Sequence, residues 1–188
     1  MWELTRWNWH AYAEHSERLE RALEELVRAD ERQVWTHAIT KIELEFFDVG
    51  VPSVLTRPLA SCLVSAIRRV DGAKRTAILS FLAELICGRG EEDYSQQQRE
   101  WLSLAHREVA MGLSELEFIL ETGDETDAEM CVHMLATLAA HIASLGPRIA
   151  YYFGRARNRV PAIAAHVDYY LHSGKHASLR AGSDDDDL

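Results

Sequence analysis

The chain has 188 residues, 47% hydrophobic and 27% charged, enough for one sizeable core and ordinary for a globular protein. Twenty basic and 30 acidic side chains leave a net charge of −10, which disfavours nonspecific attraction to a phosphate backbone. Three scattered cysteines, Cys62, Cys87 and Cys131, lie in apolar patterns without a Cys-x-x-Cys pair, so reduced, buried thiols and a cytoplasmic location are expected.

The first fifteen residues lack the continuous apolar core of a secretion signal. The longest apolar stretch, 77–87, is interrupted by Ser80 and Glu84 and is too short to span a bilayer, so no membrane association is expected. Trp2, Trp7, Trp9 and Tyr12 open the chain. Tryptophan is enriched in binding hot spots, but covering the exposed apolar end of a first helix pair is the favoured role.

Tyr12, His15, Leu19, Ala22, Leu23 and Leu26 then trace one helical face, with Glu17, Glu20, Glu24 and Glu25 off it. His15, on the apolar side, reads as a satisfied core histidine. Trp35, Ala38, Ile39, Ile42 and Phe46 predict a second helix over about 31–47. Glu43, Glu45 and Asp48 crowd its far end, where carboxylates oppose the helix macrodipole. Local helix stability does not explain them, so they join the candidates for partner contact.

A turn at Gly50-Val51-Pro52 leads to a helix over about 57–70, striped by Leu59, Leu63, Ile67 and Val70. Asp71-Gly72 ends it, and a helix over 73–87 follows with Ile78, Phe81, Leu82, Leu85 and Ile86. Residues 88–93 form an acidic loop with no phosphate-cradling pattern. Ser95 is placed to cap a helix that reaches Met111 and bends near Gly112.

Residues 112–144 read as a complete helix–turn–helix unit. Leu113, Leu116, Ile119 and Leu120 stripe its first helix, and Cys131, Met134, Leu135, Leu138 and Ile142 its second. Thr122-Gly123-Asp124 supplies the stop, with Thr126 or Asp127 as the next cap. Pro147 starts a helix over 148–158, and Pro161 starts the last one, with Ile163, Val167, Tyr170 and Leu171 inward. Residues 173–188 lack any apolar period and are expected to be a flexible acidic tail.

Each helix carries one apolar stripe that it cannot cover alone, so the pairs must stack. The expectation is an all-α chain of about four antiparallel helix pairs, at roughly 35–45 residues each, forming a single domain over 1–172. The turns Asp71-Gly72-Ala73-Lys74-Arg75-Thr76-Ala77-Ile78-Leu79 and Gly123-Asp124-Glu125-Thr126-Asp127-Ala128-Glu129 carry a resemblance to small bacterial HEAT-like repeat proteins. Such repeats place an Asp in the turn and a basic residue early in the second helix. Asp71 with Arg75 matches, whereas Glu129 stands where a base is expected. The resemblance implies a short right-handed α-solenoid.

Little catalytic chemistry is legible. None of the nine histidines has a carboxylate three residues before it, and there is no His-Glu-x-x-His and no Gly-x-Ser-x-Gly. Glu129/His133 and Asp168/His172 share helix faces at four-residue spacing. Ordinary surface pairing is the favoured reading of both, and no metal, cofactor or catalytic residue is expected.

Charge is the positive signal. Residues 91–130 hold 12 acidic and 2 basic groups, whereas 131–183 hold 1 and 6. The acidic run Glu115, Glu117, Glu121, Asp124, Glu125, Asp127 and Glu129, with His133 beside it, is the candidate contact surface for a basic protein partner. Arg148, Tyr151, Tyr152, Arg155, Arg157 and Arg159 imitate a base-stacking surface, but half of those aromatics belong to the helix core. The resemblance implies an immunity protein, not an enzyme, that occludes the active site of a cognate toxin. It leaves open a HEAT-like nucleic-acid enzyme, such as an alkylbase DNA glycosylase, and a structural scaffold.

Overall fold

The computed structural model describes residues 2–9, 16–46, 51–87 and 93–172. Their regular structure is entirely helical, with ten α-helices and no strand among the described residues. None of these helices is long and apolar enough to cross a membrane. The chain divides into two compact units, Met1–Met111 and Gly112–Leu188, where the sequence pattern suggested one domain over 1–172. Tyr12, His15, the loop 88–92 and the tail 173–188 lie outside the described residues.

The first unit holds α1 (Trp2–Arg6), α2 (Ser16–Arg28), α3 (Arg32–Phe46), α4 (Thr56–Ile67), α5 (Gly72–Cys87) and α6 (Gln96–Met111). Most of the apolar stripe residues are buried as their spacing predicts, but α4 ends at Ile67, so Val70 lies beyond it and is half-buried. Leu19, Leu23, Leu26 and Ile42 are buried where α2 meets α3, and Leu59, Leu63, Ile78 and Leu82 are buried where α4 meets α5. Helix α4 packs most extensively on α6.

The short α1 was not expected. It lies on α4, with Leu4 and Trp9 in the core and the Trp9 indole donating to the Leu4 carbonyl at 2.8 Å. Trp9 is therefore a core residue, and α1 covers α4 rather than chiefly the first pair.

Helix ends are closed by named groups. Gly72 sits at φ +53°, a left-handed conformation that costs an L side chain about 1–2 kcal/mol. Lys74 reaches from α5 to donate to the Val27 and Ala29 carbonyls at 2.9 and 2.7 Å, satisfying the end of α2. Burial pulls the Lys74 ammonium below its ordinary pKa, while Asp30 and Asp71 oppose that shift. Ser95 and Gln98 form a reciprocal capping box at the start of α6, as the serine suggested.

The second unit holds α7 (Leu113–Thr122), α8 (Glu125–His141), α9 (Gly146–Arg159) and α10 (Ala164–His172). Helix α9 packs on both α7 and α8, and α10 packs on α8 and α9. Leu116, Leu120, Cys131, Leu135, Ile149, Phe153 and Val167 are buried at these contacts. The cap of α8 is Asp124, whose carboxylate accepts from the Asp127 N–H at 2.9 Å, and not Thr126 or Asp127. Only glycine fits the turn before it. A Cβ on Gly123 would lie 2.7 Å from the Ile119 carbonyl oxygen and 2.9 Å from the Asp127 Cβ.

Candidate functional site

The acidic residues singled out in the sequence fall into separate environments. Glu43 is half-buried on α3 in the first unit, where burial, then Glu84, pushes its carboxyl above the usual range. The Glu45 side chain and Asp48 lie outside what is described. The other seven carboxylates and His133 all belong to the second unit, on α7, α8 and the turn between them.

Within that run, most of the negative charge has a partner in the same chain. Glu117 is 3% exposed and receives two hydrogen bonds from Arg148 of α9, at 2.7 Å from Nε and 2.5 Å from Nη2. This fork-on-carboxylate geometry is the strong form of the ion pair, and Glu117 would be costly to bury without it. Two α9 turns on, Arg155 meets Glu121 at 3.0 Å. One more turn places Arg159 over the end of α7, where Nη2 donates to the Leu120 carbonyl at 2.6 Å.

Arg157, between them, meets Asp168 of α10 at 3.2 Å. All four α9 arginines that imitated a base-stacking surface are thus engaged inside the unit. The expected Asp168/His172 side-chain pair does not form: His172 Nδ1 donates to the Asp168 backbone carbonyl, and the carboxylate turns to Arg157.

The start of α8 accounts for three more acids. Asp124 caps it, Asp127 is buried in its first turn, and Glu125 is exposed there. Carboxylates at this end complement the helix dipole. Glu115 is half-buried on α7. The run is therefore a set of caps and ion pairs first; Asp124 and Glu125 are its exposed members toward the turn, and Glu115 and Glu121 are half-buried.

Among these the structure exposes a residue that sequence reasoning passed over. Phe118 is 60% exposed. On its own helix it is flanked by Glu115 three residues before and Glu121 three residues after, with the Asp124 and Glu125 turn beyond. The signal was present: Leu113, Leu116 and Leu120 define the buried stripe, and Phe118 falls off it. Phe118 is a large apolar side chain with a carboxylate rim.

No family model, curated protein or solved structure matches the chain.

Glu129 and His133 remain together on α8, as their spacing predicts, at 3.9 Å. The fold adds two groups from α10. Glu129 Oε1 lies 3.7 Å from His166 Nδ1, and His133 Nδ1 lies 2.6 Å from the Tyr170 hydroxyl. The two imidazole rings are tilted against each other, with centroids 5.3 Å apart. Burial, then the neighbouring His166, lowers the His133 pKa, while Glu129 opposes the shift. His166 stood on no motif, and only the packing of α10 on α8 brings it to this place.

Proposed function

We propose that this chain is a protein-binding module that docks a basic partner on the acidic-rimmed Phe118 surface of α7. The observation that carries the reading is a 60%-exposed phenylalanine between Glu115 and Glu121 on a helix whose opposite face is fully buried. Binding hot spots have this composition: a central aromatic that can be desolvated, ringed by polar groups that select the partner. Residues 112–172 hold eight carboxylates against four arginines, so a net negative field remains after the internal pairs form. A cationic partner is steered by that field.

The finer architecture belongs to the same reading. Helix pairs stacked as a short right-handed α-solenoid of the HEAT-like kind would present such a face on a rigid frame. The resemblance of the Asp71-Gly72 and Gly123-Asp124 turns to small bacterial HEAT-like proteins makes the concrete assignment a cytoplasmic immunity protein. It would occlude the basic active-site cleft of a toxin by stoichiometric binding. Internal pairing of Glu117 and the capping role of Asp124 narrow the contact surface from the whole acidic run to its exposed part.

The test is coexpression with the product of the neighbouring reading frame, followed by calorimetric titration at rising salt. Binding should weaken with salt. Phe118→Asp should weaken it at least ~100-fold, as expected for a hot-spot anchor. Equal affinity of wild type and Phe118→Asp would remove the assignment.

A further inference from the structure

Helices α8 and α10 each present two residues one turn apart, and the two pairs face each other: Glu129 with His133, and His166 with Tyr170. We propose that Glu129, His133 and His166 form a binding site for a divalent transition-metal cation of the zinc type. Each offers one ligand atom, and the three atoms lie within 4.8 Å of one another. The two carboxylate–imidazole separations, 3.9 and 3.7 Å, are too long for hydrogen bonds. His166 Nδ1 is buried and has no hydrogen-bond partner, although it points at a carboxylate oxygen. Surface ion pairing alone leaves that nitrogen unexplained. A cation between the three groups would satisfy all of them at once.

The chemistry of the set selects the ion. Two imidazoles and one carboxylate suit zinc and its first-row neighbours, whereas calcium and magnesium demand oxygen-rich shells. Metal–ligand bonds of about 2.0–2.1 Å in a tetrahedron put neighbouring ligand atoms about 3.4 Å apart. The cluster therefore closes by a modest rotation of side chains that are 34% to 45% exposed.

Tyr170 completes the arrangement from outside. With His133 Nδ1–H donating to the Tyr170 hydroxyl, the lone pair of Nε2 is aimed at Glu129 and the ion. Three protein ligands leave a fourth position to solvent. The ion would tether α10, the last described helix, to α8. This assignment stands apart from the Phe118 surface and does not depend on it.

The experiment is titration of the full-length protein with Co(II), read by its visible absorption, with Zn(II) as competitor and thermal unfolding alongside. The expected result is one Co(II) per chain, displaced by Zn(II) and not by Mg(II), with a raised unfolding midpoint. His166→Asn and His133→Asn should each weaken uptake at least ~100-fold while leaving the far-ultraviolet dichroism unchanged. Tyr170→Phe, acting only on the orientation of His133, should weaken it about 10-fold. His172→Ala, at an exposed histidine outside the cluster, should change nothing. Absence of Co(II) binding to the wild type would overturn the site. So would binding that both asparagine variants retain, since the ion would then be held elsewhere.

Discussion

The two units solve the same problem, a buried carboxylate, with different degrees of closure. In the first, Glu108 of α6 is 5% exposed and held by two arginines. Arg57 donates through Nε and Nη2 at 2.9 and 2.8 Å, and Arg6 through Nη1 at 3.0 Å. Trp7 covers both guanidiniums, at 5.0 and 5.1 Å from its ring. In the second, Glu117 has one arginine, Arg148, whose side chain is 53% exposed. The first arrangement is doubly clamped and roofed by an aromatic; the second is a single clamp open to water. A carboxylate locked by two cations and covered is structural. Glu117, held by a single cation that itself faces water, is the less securely clamped of the two.

That contrast can be broken at its strongest point. Replacing Arg6 and Arg57 together by methionine strands Glu108 without a cation, and urea unfolding should show a loss of about 3–5 kcal/mol. Single replacements sharpen the comparison. Arg57→Met leaves Arg6 in place and should cost about 1 kcal/mol, whereas Arg148→Met leaves Glu117 alone and should cost about 2–3 kcal/mol. Equal losses for the two would remove the distinction between double and single clamp.

Smaller effects test the acids assigned to helix ends and crowding. Asp124→Ala removes the α8 cap and should destabilise by about 1 kcal/mol in the same assay. Glu43→Gln should do the opposite. Its carboxyl is raised above the ordinary 4.5 by burial and then by Glu84, so the folded state holds this proton more tightly than the unfolded chain does. Ionisation therefore weakens the fold as pH rises through the raised value. The glutamine variant should be more stable at pH 7, within about 0.5 kcal/mol, and the gain should vanish at acid pH.

Helix positions were legible because nearly every helix has a stripe whose period the residues display, as in Leu113, Leu116 and Leu120. Helix α1 escaped because five residues do not make a period, and its reason for existing, its packing on α4, lies outside its own segment. The cap of α8 was misplaced by two or three residues because Asp124, Thr126 and Asp127 are all capping types, and only the backbone decides among them.

Periodicity assigns a residue to a face but not to a partner. Glu117 and Arg148 are 31 positions apart, and their pairing follows from α9 packing on α7, although the acidic 91–130 and basic 131–183 blocks already hinted at it. The Glu129–His133 half of the candidate metal site was readable from spacing along one helix. His166 and Tyr170 were not, since a second helix delivers them.

The most direct measurement is calorimetric titration of the neighbouring frame's product into wild type, Phe118→Asp and a Glu115→Lys/Glu125→Lys double variant, at low and physiological salt. A one-to-one complex should form with the wild type, and the aspartate should abolish it at both salts. The charge reversals should weaken it most at low salt, where the rim's field is least screened. Unchanged binding by all three proteins would contradict the docking of a basic partner on α7.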